Sequence, residues 1–128
     1  MSDTPLAGVR LLLVDDDERV RAGLQEYFAD CGAIVVEANS ARAGLRAFLA
    51  LRPDVLVSDI RMPGEDGMWL INTIRALPAD VGGTVPALAL TGDANAVDEA
   101  AEAGFCAVRT KPPELEELVA LVAELASR

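Results

Sequence analysis

Residues 9–17 read VRLLLVDDD, a run of apolar residues that stops abruptly in three carboxylates. A continuous apolar run of this length is too short for most helices and fits a strand buried on both faces. The acidic stop marks where the chain leaves the interior. The same pattern recurs outward along the chain, with branched-apolar runs of four to six residues at 33–37, 55–58, 85–90 and 105–109. Longer stretches at helical spacing lie between them. Val20, Leu24, Tyr27, Phe28 and Cys31 form one apolar stripe that ends at Gly32. Ala41, Leu45, Phe48 and Leu49 form the next, which stops before Pro53. A third helix starts at Asp66 as cap, carries Leu70, Ile71, Ile74 and Leu77, and gives way to the 78–83 loop. A fourth spans 94–103 and has only Val97 among alanines on its inner face, so it is expected to be the least firmly held. A fifth follows the two prolines with Leu115, Leu118, Val119, Val122 and Leu125. Strands alternating with helices in this way predict an α/β fold, a doubly wound sheet of five parallel strands with five helices on its two faces. Ligands of such sheets bind beyond the carboxyl ends of the strands.

The composition supports one compact body. A chain of 128 residues is the size of one domain, and with 52% hydrophobic and 25% charged residues it can fill a core. Apolar runs such as 11–14 and 87–90 fall far short of the roughly 18 residues that a membrane span needs. No basic-then-apolar leader opens the sequence. A cytoplasmic protein with no membrane contact is expected. Eleven Lys and Arg against 21 Asp and Glu give a formal charge of -10, which disfavours direct nucleic-acid binding and favours cations or basic partners. The absence of histidine excludes Ser-His-Asp and Cys-His hydrolases and histidine-ligated metal enzymes. Cys31 and Cys106 show no CxxC spacing, so neither a disulfide framework nor a zinc site is expected.

The remaining chemistry must use carboxylates, hydroxyls and lysine. Asp15, Asp16 and Asp17 follow the first strand, Asp59 ends the third, Thr91 ends the fourth, and the fifth leads into Lys111. All converge on one rim. Two carboxylates about 4 Å apart repel by roughly 4 kcal/mol at an effective dielectric near 20, so gathering Asp15, Asp16 and Asp59 there calls for a cation. Magnesium prefers oxygen ligands and bridges carboxylates to phosphoryl oxygens. With Asp59 as nucleophile, Asp15 and Asp16 holding the ion, and Thr91 and Lys111 receiving the other phosphoryl oxygens, each developing charge finds a partner.

Four segments, LLLVDDDERVR (11–21), PDVLVSDIRMPGEDGMWLI (53–71), PALALTGDA (86–94) and GFCAVRTKPPEL (104–115), resemble the receiver domains of two-component response regulators. They stand in that family's order and spacing, and the likeness runs from about residue 9 to 125. The resemblance implies a flavodoxin-like sheet of strand order 2-1-3-4-5 in a domain over 8–126, with a short tail at 1–7. It makes Asp59 the phosphoacceptor, Asp15 and Asp16 the acidic pair near Mg2+, and Arg61 the source of a backbone carbonyl for the ion. Thr91 matches the switch hydroxyl and Lys111 the site lysine, whose bond to Pro112 is usually cis in the family. The implied donor is a histidine kinase or a histidine phosphotransfer protein. The output is a downstream protein or effector domain, reached through the surface of the fourth helix, fifth strand and fifth helix. Such a domain is no turnover enzyme; it performs only its own phosphotransfer and autodephosphorylation.

Two departures stand out. Val108 occupies the position, three before the lysine, where the family commonly has Tyr or Phe, so weaker or differently routed coupling is expected. The 78–86 loop is somewhat long and looks like receivers attached to hybrid sensor kinases. Taken singly the residues also have plainer readings. Asp17 fits a helix cap, Asp59 a turn, Thr91 a strand end and Lys111 a solvated surface. Trp69 is read as half-buried packing, Met62 as a loop residue against the fourth strand, and Glu99, Glu102, Glu114, Glu116, Glu117 and Glu124 as solvated helix faces. Other classes are a pseudo-receiver working without phosphorylation, a metal-dependent phosphatase, and a flavodoxin-like redox carrier. The phosphatase reading lacks the usual DxD at the first strand, and the redox reading lacks a flavin phosphate loop.

Overall fold

A computed structural model describes residues 4–128 of the chain. Its five strands are β1 (Arg10–Val14), β2 (Ile34–Ala38), β3 (Val55–Asp59), β4 (Ala87–Thr91) and β5 (Ala107–Thr110). The helices are α1 (Glu18–Asp30), α2 (Ala41–Leu51), α3 (Gly67–Arg75), α4 (Val97–Ala103) and α5 (Leu115–Ala126). All pairings are parallel, in the order β2-β1-β3-β4-β5. The doubly wound, flavodoxin-like α/β sheet expected from the sequence is the fold.

Side chains alternate across a strand, so each apolar run serves two cores. Leu12, Val14, Leu56, Ala87 and Ala89 face one way and pack with Phe48, Leu70, Ile71 and Ile74 of α2 and α3. Leu11, Leu13, Val55, Val57, Leu88 and Leu90 face the other way and pack with Leu24, Phe28, Leu118 and Val122 of α1 and α5. Register then fixes the rim: Asp59 pairs with Leu90, and Thr91 with Thr110.

Local chemistry sets the ends. The Asp17 carboxylate accepts from the N–H groups of Arg19 and Val20, 3.0 and 3.1 Å away, and caps α1 as the sequence implied. Ser40 caps α2 and Asp66 caps α3. α2 closes on Arg52, whose φ of 53° leaves the helical region just before Pro53. Trp69 is half-buried, with the Arg42 guanidinium 5.3 Å from its ring centre, and Met62 is buried in the same core as Val85 and Ala87.

Several expectations need correction. β4 begins at Ala87, later than residue 85, because Pro86 has no N–H for the ladder. The fourth helix divides into a 3-10 turn at Ala94–Ala96 and the seven residues of α4; Ala96 and Ala100 face inward while Val97 is half-buried. On α2 the inner face is Ala41, Gly44 and Phe48, and Leu49 is 46% exposed. Gly44 sits there because a Cβ would meet the Val14 side chain at 2.9 Å, so small residues let α2 approach the sheet. Cys106 is exposed, and Cys31 is half-buried. Leu6, within the segment read as a tail, is fully buried and its N–H donates to the Cys31 carbonyl at 2.8 Å; residues 1–3 of that tail lie outside the described residues. The 78–86 loop carries a second 3-10 turn at Ala79–Val81 and is tied down by Arg52 to the Asp80 carbonyl and by Arg75 to that of Gly83. Among the described residues no helix is long and apolar enough to cross a membrane.

Candidate functional site

Asp15 leaves the sheet immediately after β1 and is 1% exposed. A carboxylate so buried needs partners. Its Oδ1 accepts from the Asp17 N–H at 2.9 Å, and its Oδ2 accepts from Lys111 Nζ at 2.9 Å. Asp59 closes β3 at 7% exposure; its Oδ1 accepts from the Ile60 N–H at 2.8 Å, and its Oδ2 lies 3.3 Å from the same Lys111 ammonium. Lys111 therefore bridges the first and third strands. Its own N–H donates to the Thr91 carbonyl at 2.8 Å, which fixes its backbone at the end of β4. The Lys111–Pro112 bond is cis, as the resemblance implied.

Asp16 is exposed and completes the group: carboxylate oxygens of Asp15, Asp16 and Asp59 lie within 4.8 Å of one another. Three carboxylates against one ammonium leave the cluster anionic. Hard oxygen donors gathered this closely, with net negative charge, suit a hard divalent cation such as Mg2+. Asp16 faces solvent, while Asp15 and Asp59 are buried and anchored by hydrogen bonds.

The electrostatics agree. Burial raises the Asp59 carboxyl above its ordinary range; the Lys111 charge opposes this, and the Asp15 charge adds to it. Burial also works against the Lys111 ammonium, but its hydrogen bond to Asp15 and the charges of Asp59 and Asp15 outweigh the loss and hold its pKa above the usual value. Burial, more than repulsion between the carboxylates, thus disfavours the charged form of Asp59, and an added cation would favour it.

Thr91 is fully buried at the end of β4, and its hydroxyl is engaged within its own loop. The hydroxyl accepts from the Asp93 N–H at 3.0 Å and donates to the Asp93 carbonyl at 3.4 Å. Arg61 lies just past Asp59, but its side chain turns outward to Asp93, 3.2 Å away and half-exposed. Val108 is half-buried against the core that holds α2, α3 and α4. The acidic residues of α4 and α5 are exposed, and Glu117 is paired with Arg109 at 2.8 Å.

Gly67 is a site residue that the sequence reading passed over. Its N–H donates to the Ile60 carbonyl at 2.9 Å, and a Cβ there would stand 2.3 Å from the Asp59 carbonyl oxygen. Only glycine lets α3 start this close to the strand end. The Asp66–Gly67 pair just before an apolar stripe was the available clue.

Comparison with known proteins agrees with this arrangement. Residues 11–123 match the family described as response regulator receiver domain. An uncharacterized 14.6 kDa protein of Leptolyngbya boryana is 42% identical over 119 residues, 91% of this chain and 89% of that protein. The transcriptional regulatory protein PrrA of Mycobacterium tuberculosis is 37% identical over 128 residues, 98% of this chain but 53% of that protein, so the chain spans about half of PrrA. Among solved structures, a response regulator from Chloroflexus aurantiacus superposes with a TM-score of 0.87 at 35% identity, covering 94% of this chain and 98% of that one. The receiver domain of a sensor histidine kinase from Pseudomonas aeruginosa, described with magnesium in its active-site cleft, gives a TM-score of 0.86 at 27% identity, covering 95% of this chain and 100% of that one. On its fold, its clustered strand-end carboxylates and these matches, the chain belongs to the response regulator receiver domain family of two-component signalling.

Proposed function

We propose that the chain is a phosphorylation switch in which Asp59 accepts a phosphoryl group from a phosphohistidine of a histidine kinase or phosphotransfer protein, with Mg2+ held by Asp15, Asp16, Asp59 and the Arg61 carbonyl. The observation that carries this reading is the convergence of Asp15, Asp16 and Asp59 on one side and Lys111 on the other around a single open rim. Bound Mg2+ would supply charge neutralisation for the incoming phosphoryl oxygens. The chain's own groups do the rest. Asp59 presents a carboxylate oxygen, held in place through the Ile60 N–H, and Lys111 offers an ammonium to a phosphoryl oxygen as a point charge. Thr91 would turn its hydroxyl from Asp93 toward the new anion, and water attack would later reset the site.

The chain would act in the cytoplasm and carry its signal by protein contact. A surface with a formal charge of -10 fits a partner rich in Lys and Arg better than nucleic acid. PrrA and the DNA-binding regulator NtrC are transcriptional regulators by name, so DNA contact in those proteins is theirs and not assigned to this chain. Incubation with acetyl phosphate, followed by intact mass measurement, tests the proposal. One phosphoryl increment should appear with Mg2+, vanish with chelator, and be absent from Asp59→Asn. Full labelling of Asp59→Asn would overturn the acceptor assignment, and an unlabelled wild-type chain would support the pseudo-receiver reading instead.

A further inference from the structure

Arg21 sits early in α1, and its side chain is only 15% exposed. Its Nη1 donates to the main-chain carbonyl of Asp15 at 2.8 Å, and its Nε donates to Glu37 at 3.1 Å. Glu37 lies on the edge strand β2, opposite Leu13. One guanidinium therefore joins α1, the end of β1 and the outer strand, a task that its planar fork of donors suits.

The consequence falls on Asp15. Its N–H donates to the Ala38 carbonyl at 3.1 Å, its carbonyl accepts from Arg21, and its two carboxylate oxygens accept from Asp17 and Lys111. Every polar group of the residue is held. The Asp15 carbonyl belongs to the peptide that leads into Asp16, so the plane that Arg21 fixes also sets where the Asp16 carboxylate emerges. Asp16 itself is exposed and depends on that peptide for its direction.

We propose that Arg21 is a positioning residue for the cation site, acting through the Asp15–Asp16 peptide. This rests on the reading of Asp15, Asp16 and Asp59 as a divalent-cation site. Charge and geometry predict opposite signs here. A positive group near the carboxylates repels a metal ion, so if Arg21 acted through its charge, its removal would tighten binding. Glu37 already balances that charge, and geometry is what remains. Loss of an outer-shell partner typically weakens metal binding by about tenfold or more.

The test is a Mn2+ titration of the full chain followed by electron paramagnetic resonance, with thermal unfolding of each variant recorded in the absence of the ion. Mn2+ serves as a probe that prefers the same oxygen donors. Arg21→Ala should raise the dissociation constant about tenfold. The double variant Arg21→Ala/Glu37→Gln should show the same loss, and Glu37→Gln alone should change it less than about twofold. Arg21→Lys should recover part of the affinity, since an ammonium can still reach the Asp15 carbonyl; should Arg21→Ala not fold, Arg21→Gln takes its place as the loss variant, with the same expected loss and the same overturning result. Wild-type affinity, or tighter binding, in a folded Arg21→Ala or in the double variant overturns the proposal. A wild-type chain that takes up no Mn2+ removes the cation site itself, a different result from an unchanged Arg21 variant.

Discussion

The two sides of the rim are built to different standards. On the α1–α5 side, α1 runs thirteen residues from a doubly bonded Asp17 cap and buries Leu24 and Phe28, while α5 runs twelve and buries four apolar side chains. On the other side α4 has seven residues, buries only Ala100, and among the described residues no side chain caps it at Ala96. Apolar burial scales with side-chain size, so α4 rests on a small fraction of the hydrophobic contact that holds α1. The fixed side carries Asp15 and Asp16. The lightly held side carries Thr91 and Asp93.

The attachment of α4 is uneven as well. Its C-terminal end is pinned where Arg75 donates to the Gly104 carbonyl from Nε and Nη2, 3.0 and 2.9 Å away. Its leading turn hangs on Asp93, whose Oδ1 accepts from the Asn95 N–H while its Oδ2 pairs with Arg61. Asp93 is also the residue that occupies the Thr91 hydroxyl. A Thr91 that turned toward a phosphoryl group would free Asp93 and disturb the turn leading into α4, while α1 stayed in place. Such a shift from 1:99 to 99:1 requires about 5.5 kcal/mol of differential stabilisation, which a dianion placed beside Lys111 has to supply without an aromatic ring at Val108.

The largest expected difference between the two sides is in stability. Phe28→Ala should cost about 3–5 kcal/mol in urea unfolding, whereas Ala100→Gly on α4 should cost only about 1 kcal/mol. Equal losses would erase the contrast. Next, Lys111→Ala leaves Asp15 and Asp59 facing each other and should destabilise the ion-free chain by about 3 kcal/mol while tightening Mg2+ binding in calorimetry. The Lys111 pKa is raised on folding, so its contribution is complete below the ordinary lysine pKa and fades as pH rises through the folded value. The gap between wild type and variant should thus be flat around neutrality and close both in strong alkali, where Lys111 loses its charge, and in acid, where Asp59 takes up a proton.

A smaller effect of opposite sign is expected for Asp59→Asn. The raised carboxyl pKa means that the folded state favours protonated Asp59, an advantage present at acid pH and lost as pH rises through the folded value. Without metal, the variant should therefore be more stable than wild type at pH 7 by about 1 kcal/mol, with the gap shrinking toward acid pH. Thermal unfolding with and without Mg2+ would show it, the ion stabilising wild type and not the variant. Smallest of all, Asp93→Ala should cost about 0.5–1 kcal/mol and raise amide exchange in the turn before α4 with no change in α1.

Much of this was legible in the sequence because strand-end residues are placed by the strands themselves. Once VRLLLV is a buried parallel strand, Asp15 must emerge at the rim, and the same holds for Asp59, Thr91 and Lys111. Roles that depend on distant neighbours were not legible. Arg21 looks like any helix-surface arginine until Glu37 is brought beside it, and Gly67 like any turn glycine until the Asp59 carbonyl is seen against it. The α4 break was hidden because alanines carry no periodicity strong enough to separate a 3-10 turn from a helix. Leu49 was misplaced because spacing cannot say that Gly44 draws α2 down and tilts the inner face toward Ala41 and Phe48.

Amide hydrogen exchange of the Mg2+-loaded chain with and without beryllofluoride, a stand-in for the phosphoryl group, tests the account most directly. Altered exchange across residues 91–103, unchanged exchange in α1, and loss of the whole response in Asp59→Asn is the predicted pattern. A response that survives Asp59→Asn, or none in residues 91–103 of the wild-type chain, would contradict it.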